Sequence, residues 1–532
     1  MFTTPPKRSV RFFNTTGPCY PWDHYMLPPA DRLVDAQLDR YIRDNLYWVL
    51  HAPRQTGKTT FLQNWAREIN ASGQAAACYV SLERCQRMTE PERCMPDLCK
   101  AIQDYAEFSN LPVPEVKTST PGSMLSGVLI DFSVIVAPKP LTILFDETDA
   151  LEGDSLISFL RQLRGGFMER GVGKFPTSIA LVGMRDLKDY ITAAKGGVPP
   201  SPLSPFNIKE DSIFISNFSK DDVAALFVQR TEETGQSITD EALDYVYEQS
   251  WGQPWIVNSL LKRATMRVLK EDNYETVTLE HIMAAREQMI QARETHLDSL
   301  GVRLREPKIK RVIESILVGN VDPEMGRTNP DVELAIDLGL IKWESATGFT
   351  ISNPIYEEIL TRYLNSGYHD NLPSPSSWQW QKADGSLDMN ALLKEFQRFW
   401  RRNSEVWEQK ADYTEAFPHL LLMAFLQRIL NGGGRIDRET AAGRGRMDLF
   451  LEYQGDKFII EIKLIHSWDT PDEVREEGLR QISHYRDRVA PNAPAYLVIF
   501  DRRDTAKSLS WDEKISWQEE SLPGGTVMVL GC

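Results

Sequence analysis

The feature that most constrains this 532-residue chain is a nine-residue segment, Ala-Pro-Arg-Gln-Thr-Gly-Lys-Thr-Thr, at residues 52–60. It follows a β-rich run at residues 46–51 and opens an amphipathic stretch, so it predicts a strand, a phosphate-binding loop and a helix. Lys58 is expected to reach the β- and γ-phosphates of a nucleotide, and Thr59 to bind Mg²⁺. The residues predicted to surround the nucleotide are Arg54, Gln55, Thr56, Gly57, Lys58, Thr59 and Thr60.

A second apolar run, at residues 141–145, leads directly into Asp146 and Glu147. Ligands of parallel sheets bind at the carboxyl ends of the strands, so these two acids are expected beside the phosphate-binding loop. Asp146 is predicted to hold the Mg²⁺ shell and Glu147 to orient the attacking water. One strand is expected to separate this strand from the loop's strand. Ala52 stands where the motif usually has its first glycine, and alanine fits there at negative φ.

The first 217 residues alternate short β-rich runs with helical stretches, which is typical of a mostly parallel sheet with crossover helices. The runs are at residues 46–51, 77–82, 141–145, 178–183 and 212–215. Residues 219–292 then read as successive amphipathic helices, a helical lid, with acidic helix starts at residues 220–222 and 239–241. Residues 306–364 read as a winged helix. The candidate recognition helix of that module carries Asp331, Glu333 and Asp337, which repel phosphate. A packing or regulatory role is therefore as well supported as DNA binding. Five basic residues upstream, within residues 303–311, are either phosphate contacts or a solvated helix face.

A second candidate site lies on the apolar run at residues 458–464, where Glu461 and Lys463 share one face of a predicted strand. Asp448, near the start of the preceding strand, can reach the same place. Two carboxylates held this close favour a bridging divalent cation, Mg²⁺ or Mn²⁺. A lysine beside them can position or help to deprotonate the water that attacks phosphorus. Taken alone, the pattern is weak, because charged pairs on half-exposed strands are common.

Residues 13–363 resemble a bacterial ATPase group related to the STAND and origin-initiator AAA+ ATPases. The matching segments are residues 24–29, 54–59, 145–147, 160–164, 183–187 and 252–255. The resemblance implies that Arg185 occupies a sensor position, where relatives more often carry asparagine. It also implies that Pro254, in Gly-Gln-Pro, lies near the base and couples the lid to nucleotide state. Arg161 and Arg164 are candidates for an arginine finger, or else ordinary surface arginines.

Residues 388–531 resemble the PD-(D/E)xK nuclease superfamily, with Asp448, Glu461 and Lys463 at the motif positions. The resemblance implies that Gln481 and Tyr485, a Gln-x-x-x-Tyr pair, help to place substrate or metal, and that Glu415 is an additional ligand. The candidate phosphate contacts are Arg435, Arg444 and Arg446.

The predicted fold class is α/β multidomain: a P-loop ATPase with a parallel sheet, a helical lid, a winged helix and a C-terminal restriction-endonuclease-like α/β domain. The predicted domains are a leader at 1–30, the ATPase core at 31–217, the lid at 218–300, the winged helix at 301–370, a linker at 371–387 and the nuclease-like domain at 388–532.

The net charge of −15 argues against a general nucleic-acid coat but allows a local basic groove. No stretch is long and apolar enough to span a membrane, and the N-terminus has no secretory signal, so a cytoplasmic location without membrane partners is expected. Four closely spaced cysteines, at positions 78, 85, 94 and 99, lack metal-site spacing and are expected to be reduced and partly buried.

These sites predict an ATP-binding and ATP-hydrolysing protein whose nucleotide state regulates a Mg²⁺-dependent nuclease. Its partner is nucleic acid, with DNA favoured over RNA, and self-assembly into a homo-oligomer is expected from the resemblance. Prokaryotic defence or mobile-element control is the setting suggested by analogy. The alternative is a nucleotide-driven switch or scaffold whose C-terminal domain binds nucleic acid or a partner without cleaving. A DNA-translocating motor is less favoured, because no further helicase motif is found.

Overall fold

The computed structural model describes most of the chain. It covers residues 10–33, 38–117, 119–172, 174–184, 209–292, 295–317, 329–345, 348–369, 380, 382, 384, 386–408, 418, 421–423, 425–426, 434–440, 447–453, 455–466, 468–488, 493–503, 506, 509–522 and 524–532. These residues fall into two compact units, residues 1–293 with 337–339, and residues 294–336 with 340–532. Among the described helices, none has the length and apolar character needed to cross a membrane.

The first unit is built on a parallel sheet of five strands in the order β2-β3-β4-β1-β5. Its strands are β1 (Tyr47–His51), β2 (Ala76–Ser81), β3 (Leu141–Asp146), β4 (Ser178–Gly183) and β5 (Lys209–Phe214). Strand β4 lies between β1 and β3, as the sequence predicts. The helices of this part are α1 (Leu38–Arg43), α2 (Lys58–Ser72), α3 (Pro91–Phe108), α4 (Pro121–Val136) and α5 (Gly153–Gly166).

Each face of this sheet carries its own apolar core, because β1 to β4 are buried almost throughout. One core joins Val49 and Phe145 to α3, α4 and α5. The other joins Trp48 and Leu144 to α2. Buried strands with helices on both faces fix the carboxyl edge of the sheet, where the loop before α2 and the end of β3 lie.

Residues 219–292 of the first unit are mainly helical. Ser219 and Thr239 cap two of its helices, and both starts agree with the acidic helix starts in the sequence. The helices are α6 (Lys220–Thr234), α7 (Asp240–Ser250), α8 (Pro254–Arg263) and α9 (Leu279–Gln291).

The second unit contains a small antiparallel pair, β6 (Ile341–Glu344) with β7 (Gly348–Ile351). The helices in this part are α10 (Thr295–Arg303), α11 (Pro307–Leu317), α12 (Pro330–Asp337) and α13 (Pro354–His369). Lys308 and Arg311 of α11 lie 3.7 and 4.0 Å from the Asp331 carboxylate of α12. The acidic helix and part of the basic cluster therefore pair with each other.

A six-stranded mixed sheet, in the order β12-β13-β11-β10-β9-β8, forms the remainder of the second unit. Its strands are β8 (Gly434–Thr440), β9 (Met447–Tyr453), β10 (Asp456–Ile465), β11 (Ala495–Asp501), β12 (Ser516–Leu522) and β13 (Gly525–Gly531). The described helices are α14 (Met389–Glu408), α15 (Pro471–Arg488) and α16 (Trp511–Lys514). Helix α15 packs on β10 and β11 through Ile482 and a close contact between Gly478 and Leu497.

Candidate functional sites

The loop between β1 and α2 has the backbone of a phosphate-binding loop. Gly57 has φ +96°, and Gln55, at φ +60°, is left-handed as well. Lys58 begins α2, and its Nζ donates to the carbonyl oxygens of Ala52 and Pro53 at 2.7 and 2.8 Å. Desolvation of the Lys58 ammonium lowers its pKa, while the Asp146 carboxylate acts in the opposite direction. The ammonium group thus lies over the loop, where a bound phosphate would meet it.

The other loop residues differ in orientation. Arg54 and Gln55 are exposed, whereas the Thr56 side chain is buried and donates to the Pro53 carbonyl at 2.9 Å. Thr60 is also buried, and its hydroxyl accepts the backbone N–H of Cys19 at 3.0 Å. The Thr60 hydroxyl therefore faces the N-terminal segment.

Asp146 ends β3 and is 1% exposed. The Thr59 hydroxyl donates to its Oδ2 at 2.6 Å, and the Tyr79 hydroxyl donates to the same oxygen at 3.2 Å. Burial raises the pKa of Asp146, while Thr59 and Lys58 act in the opposite direction. A threonine hydroxyl beside a buried carboxylate is an oxygen donor set that suits a hydrated, phosphate-bound Mg²⁺, so these two residues fit the metal.

Glu147 follows in a left-handed conformation, with φ +58°, which turns its side chain away from the direction of β3. Its Oε2 accepts the Ser81 hydroxyl at 2.7 Å. Burial and the neighbouring Asp146 raise the pKa of Glu147. Sequence reasoning did not identify Ser81. A signal was available, since Ser81 ends the strand that pairs with β3 and lies opposite Asp146 in register.

The residues implied by family resemblance are less completely placed. Pro254 is the first residue of α8, and Gln253 caps that helix by accepting the Ile256 N–H at 2.7 Å. On α5, Arg161 is exposed and Arg164 is partly buried. Arg185 lies outside the described residues.

On β10 of the second unit, Glu461 and Lys463 are 1% and 5% exposed, and Lys463 Nζ lies 2.6 Å from Glu461 Oε1. Lys463 also donates to the side-chain oxygen of Gln481 on α15. Glu461 Oε1 contacts the Lys463 ammonium, whereas Oε2 has no hydrogen-bond donor among the described residues. A buried carboxylate with one unsatisfied oxygen fits a divalent cation as a ligand, because a cation would offset the cost of its burial.

Asp448 is the second residue of β9, which runs antiparallel to β10 with Leu449 opposite Ile460. Extending that register by one position places Asp448 opposite Glu461 on the backbone. The side chains of Asp448, Arg435 and Tyr485 lie outside the described part of the structure, as do residues Glu415, Arg444 and Arg446. The structure thus brings Glu461, Lys463 and Gln481 together at the side-chain level.

A family model described as the PD-(D/E)XK nuclease superfamily matches residues 413–496, which include β9, β10 and all of α15. The chain carries a PD-(D/E)XK nuclease-superfamily domain in its C-terminal third. Glu461 and Lys463, which the sequence predicts at the motif positions, lie within the matched residues. No curated protein matches the chain.

Several solved structures are similar to the N-terminal, P-loop-containing part of the chain. The Walker-type ATPase PABY2304 of Pyrococcus abyssi has a TM-score of 0.43 and 14% identity, covering 62% of this chain and 96% of that one. The Aeropyrum pernix ORC2 protein has a TM-score of 0.37 and 14% identity, covering 62% of this chain and 91% of that one. The Thermotoga maritima RuvB Holliday junction branch migration motor has a TM-score of 0.32 and 14% identity, covering 60% of this chain and 90% of that one. The P-loop ATPase fold assigned here rests on the strand order and the loop geometry.

Proposed function

We propose that this protein binds and hydrolyses ATP, and that its nucleotide state regulates a divalent-metal-dependent nuclease that acts on DNA. The observation that carries the nuclease half is the buried Glu461 carboxylate, whose Oε1 contacts the Lys463 ammonium and whose Oε2 has no hydrogen-bond donor among the described residues. In a domain matched to a nuclease superfamily, such a carboxylate is best explained as a metal ligand. The ATPase half is supported by Lys58 over its loop and by Thr59 bonded to Asp146.

In the ATPase domain, backbone N–H groups of residues 54–59 bind the β-phosphate, and the Lys58 ammonium neutralises charge on the β- and γ-phosphates. Thr59 and Asp146 hold Mg²⁺, which supplies charge neutralisation to the leaving phosphate when bound. Glu147 orients the attacking water once its carboxylate leaves the Ser81 hydroxyl.

In the nuclease domain, Asp448 and Glu461 hold the divalent cation, which supplies Lewis-acid activation of water and of the phosphodiester when bound. Lys463 is placed to bind the non-bridging phosphate oxygen or to hold the attacking water. Gln481 fixes the direction of the Lys463 ammonium, since its side-chain oxygen accepts one of the three N–H bonds.

The finer features of the proposal are the domain boundaries at residues 31–217, 218–300, 301–370 and 388–532, a cytoplasmic location and self-assembly into a homo-oligomer. Prokaryotic defence or mobile-element control is the proposed setting, by analogy with other ATPase–nuclease fusions. Nucleic acid is the proposed partner of the second unit, with DNA ahead of RNA.

The decisive experiment incubates the purified full-length chain with linear, circular and single-stranded DNA and with RNA, in Mg²⁺ or Mn²⁺, with and without ATP. We expect ATP-dependent DNA cleavage that Asp448→Ala, Glu461→Gln and Lys463→Ala abolish. Lys457→Ala is the matched control, because Lys457 is an exposed lysine on the same strand. Lys58→Ala should abolish ATP hydrolysis and the response of cleavage to ATP.

Cleavage that is unchanged by the three nuclease-site substitutions would contradict the nuclease half of the proposal. Loss of biological activity in Lys58→Ala, with full activity in Asp448→Ala, would instead support a nucleotide-driven switch with a non-cleaving C-terminal domain.

A further inference from the structure

The outer side of the P-loop is held by two side chains that no part of the proposed reaction requires. A phosphate-binding loop directs its N–H groups inward, so its carbonyl groups point away from the ligand. Here the Thr56 carbonyl accepts Arg32 Nη2 at 2.8 Å, and the Gln55 carbonyl accepts Gln253 Nε2 at 3.5 Å. Two consecutive loop carbonyls are thus bound by residues distant in sequence.

Arg32 connects the loop to the segment that enters the lid helices. Its Nη1 donates to the Ser216 carbonyl at 3.0 Å, and the Ser216 N–H donates back to the Arg32 carbonyl at 2.9 Å. The guanidinium group also lies over the Phe218 ring, 4.8 Å from its centroid. Arg32 therefore links the Thr56 carbonyl to residues 216–218, directly before α6.

The same segment contacts the start of α8. The Phe218 N–H donates to the Gly252 carbonyl at 2.8 Å. Gly252 has φ +69°, and a Cβ there would lie 1.8 Å from the Phe218 carbonyl oxygen. Gln253 follows directly and returns to the loop at Gln55. The contacts form a closed ring from loop to Arg32, to Phe218, to Gly252, to Gln253 and back to the loop.

Burial of the Arg32 guanidinium at this position is energetically unfavourable. Arg32 is 8% exposed, and its hydrogen-bond acceptors among the described residues are the two carbonyl groups, with no carboxylate. A buried guanidinium without a paired anion is unfavourable unless its position is needed. Gly57 is fitted to it, because a Cβ at Gly57 would lie 2.7 Å from Arg32 Nη2.

We propose that Arg32 and Gln253 are positioning residues that couple phosphate occupancy of the P-loop to the lid helices α6 and α8. The coupling rests on the proposed nucleotide binding. When phosphate binds the inward N–H groups, the loop backbone adjusts and its outward carbonyls carry Arg32 and Gln253 with them. Arg32 also adds a fixed positive charge behind the loop, which favours the bound anion.

The test measures two quantities in the full-length chain, the affinity for a fluorescent ADP analogue and the hydrogen exchange of residues 253–263 with and without saturating nucleotide. Arg32→Lys keeps the charge and removes the fork of donors. We expect it to weaken nucleotide binding roughly ten- to a hundredfold, by loss of charged hydrogen bonds. It should also remove the nucleotide-induced protection of residues 253–263. Gln253→Ala should lower that protection with a smaller loss of affinity.

Arg43→Lys is the matched control, because Arg43 is an exposed arginine of α1 paired with Asp44. Thermal unfolding of each variant separates a folding defect from a coupling defect. Wild-type protection in both Arg32→Lys and Gln253→Ala, with binding still abolished by Lys58→Ala, overturns the coupling alone. Failure of the wild-type chain to bind the nucleotide overturns both the coupling and the proposed ATPase.

Discussion

The Ser81 hydroxyl donates a 2.7 Å hydrogen bond to Glu147 Oε2 and so holds the Glu147 side chain in place. A donated hydrogen bond stabilises the carboxylate and makes it a weaker base, and it also fixes the rotamer. In the proposed ATPase, Glu147 would exchange this partner for a water molecule before hydrolysis.

We expect Ser81→Ala to raise the basal kcat of ATP hydrolysis roughly three- to tenfold, which corresponds to the loss of one hydrogen bond. Nucleotide affinity should stay unchanged, since Ser81 does not belong to the P-loop. Steady-state ATPase assays and nucleotide titrations provide the two numbers. Ser81→Thr keeps the hydroxyl and serves as the control, and a fall in kcat for Ser81→Ala would contradict this role.

The Glu461–Lys463 pair gives a second prediction at this scale. Both groups are buried, so Glu461→Gln leaves the Lys463 ammonium without its anion. We expect destabilisation by about 3 kcal/mol in metal-free buffer, as for other broken buried pairs. Denaturant unfolding measures it. The double variant Glu461→Gln with Lys463→Met should be more stable than the single variant, and equal or lower stability would disprove the pairing.

The unsatisfied Oε2 of Glu461 also predicts a metal effect on stability. Mn²⁺ without nucleotide should raise the unfolding temperature of the second unit in the wild-type chain, because a ligand that binds the folded state stabilises it. Glu461→Gln should lose that shift, whereas Lys457→Ala should keep it. Differential scanning calorimetry in metal-free and Mn²⁺ buffers makes the comparison.

At the scale of elements, the contact between Gly252 and Phe218 sets the position of α8. Gly252→Ala combines a left-handed backbone with a Cβ 1.8 Å from a carbonyl oxygen. We expect a loss of about 3 kcal/mol in the stability of the first unit. Gly235 is the matched control, since it has φ +79° but nothing within 4 Å of its Cβ position. Gly235→Ala should cost only about 1 kcal/mol. Equal losses in the two variants would show that the contact carries no strain.

The elements themselves could be predicted from the sequence where the signal is local. The apolar run at residues 178–183 became β4 with the same bounds, and the run at 46–51 became β1 one residue shorter. The last strand of the first unit was predicted at residues 212–215 and spans Lys209–Phe214. The sequence does not predict the first three residues of this strand, Lys-Glu-Asp, because they are charged. An edge strand such as this one, paired with β1, accepts polar residues that a central strand excludes.

The candidate sites were predictable to the same extent. Lys58 and Asp146 stand in local motifs with a strand directly before them, so spacing predicts their place. Lys463 stands in a pattern that is weak alone, and the family resemblance was needed to select it. Arg32 and Ser81 have no such motif, and their partners are 24 and 66 residues away in sequence. Only the packing of the sheet and the lid segment brings these residues to the P-loop and to Glu147.

At the scale of the whole molecule, net charge limits how the proposed DNA partner could bind. The chain carries −15, and several basic groups are paired with acids, as Arg401 is with Asp512 and Lys308 with Asp331. The predicted phosphate contacts are then the three arginines at positions 435, 444 and 446. Three contacts give a slope of about −3 for log K against log salt concentration.

Binding titrations at 50 to 300 mM salt, over which the Debye length falls from about 14 to about 6 Å, measure that slope. Replacing the three arginines by glutamine should reduce it to near zero. The control, Lys308→Ala with Arg311→Ala, should change it little, because both groups lie against the Asp331 carboxylate, which offsets part of their charge. A slope that depends on the control pair would move the DNA contact to α11.

The strand order of the first unit has a consequence for synthesis of the chain. Strand β1, which carries the P-loop, pairs only with β4 and β5 among the described strands. Its partners begin at residues 178 and 209, more than a hundred positions after Tyr47. During translation β1 therefore has no neighbouring strand until residue 183 has left the ribosome, and contacts of such sequence separation form late. A nascent chain shorter than about 220 residues, allowing for the segment still inside the ribosome, should not retain ATP.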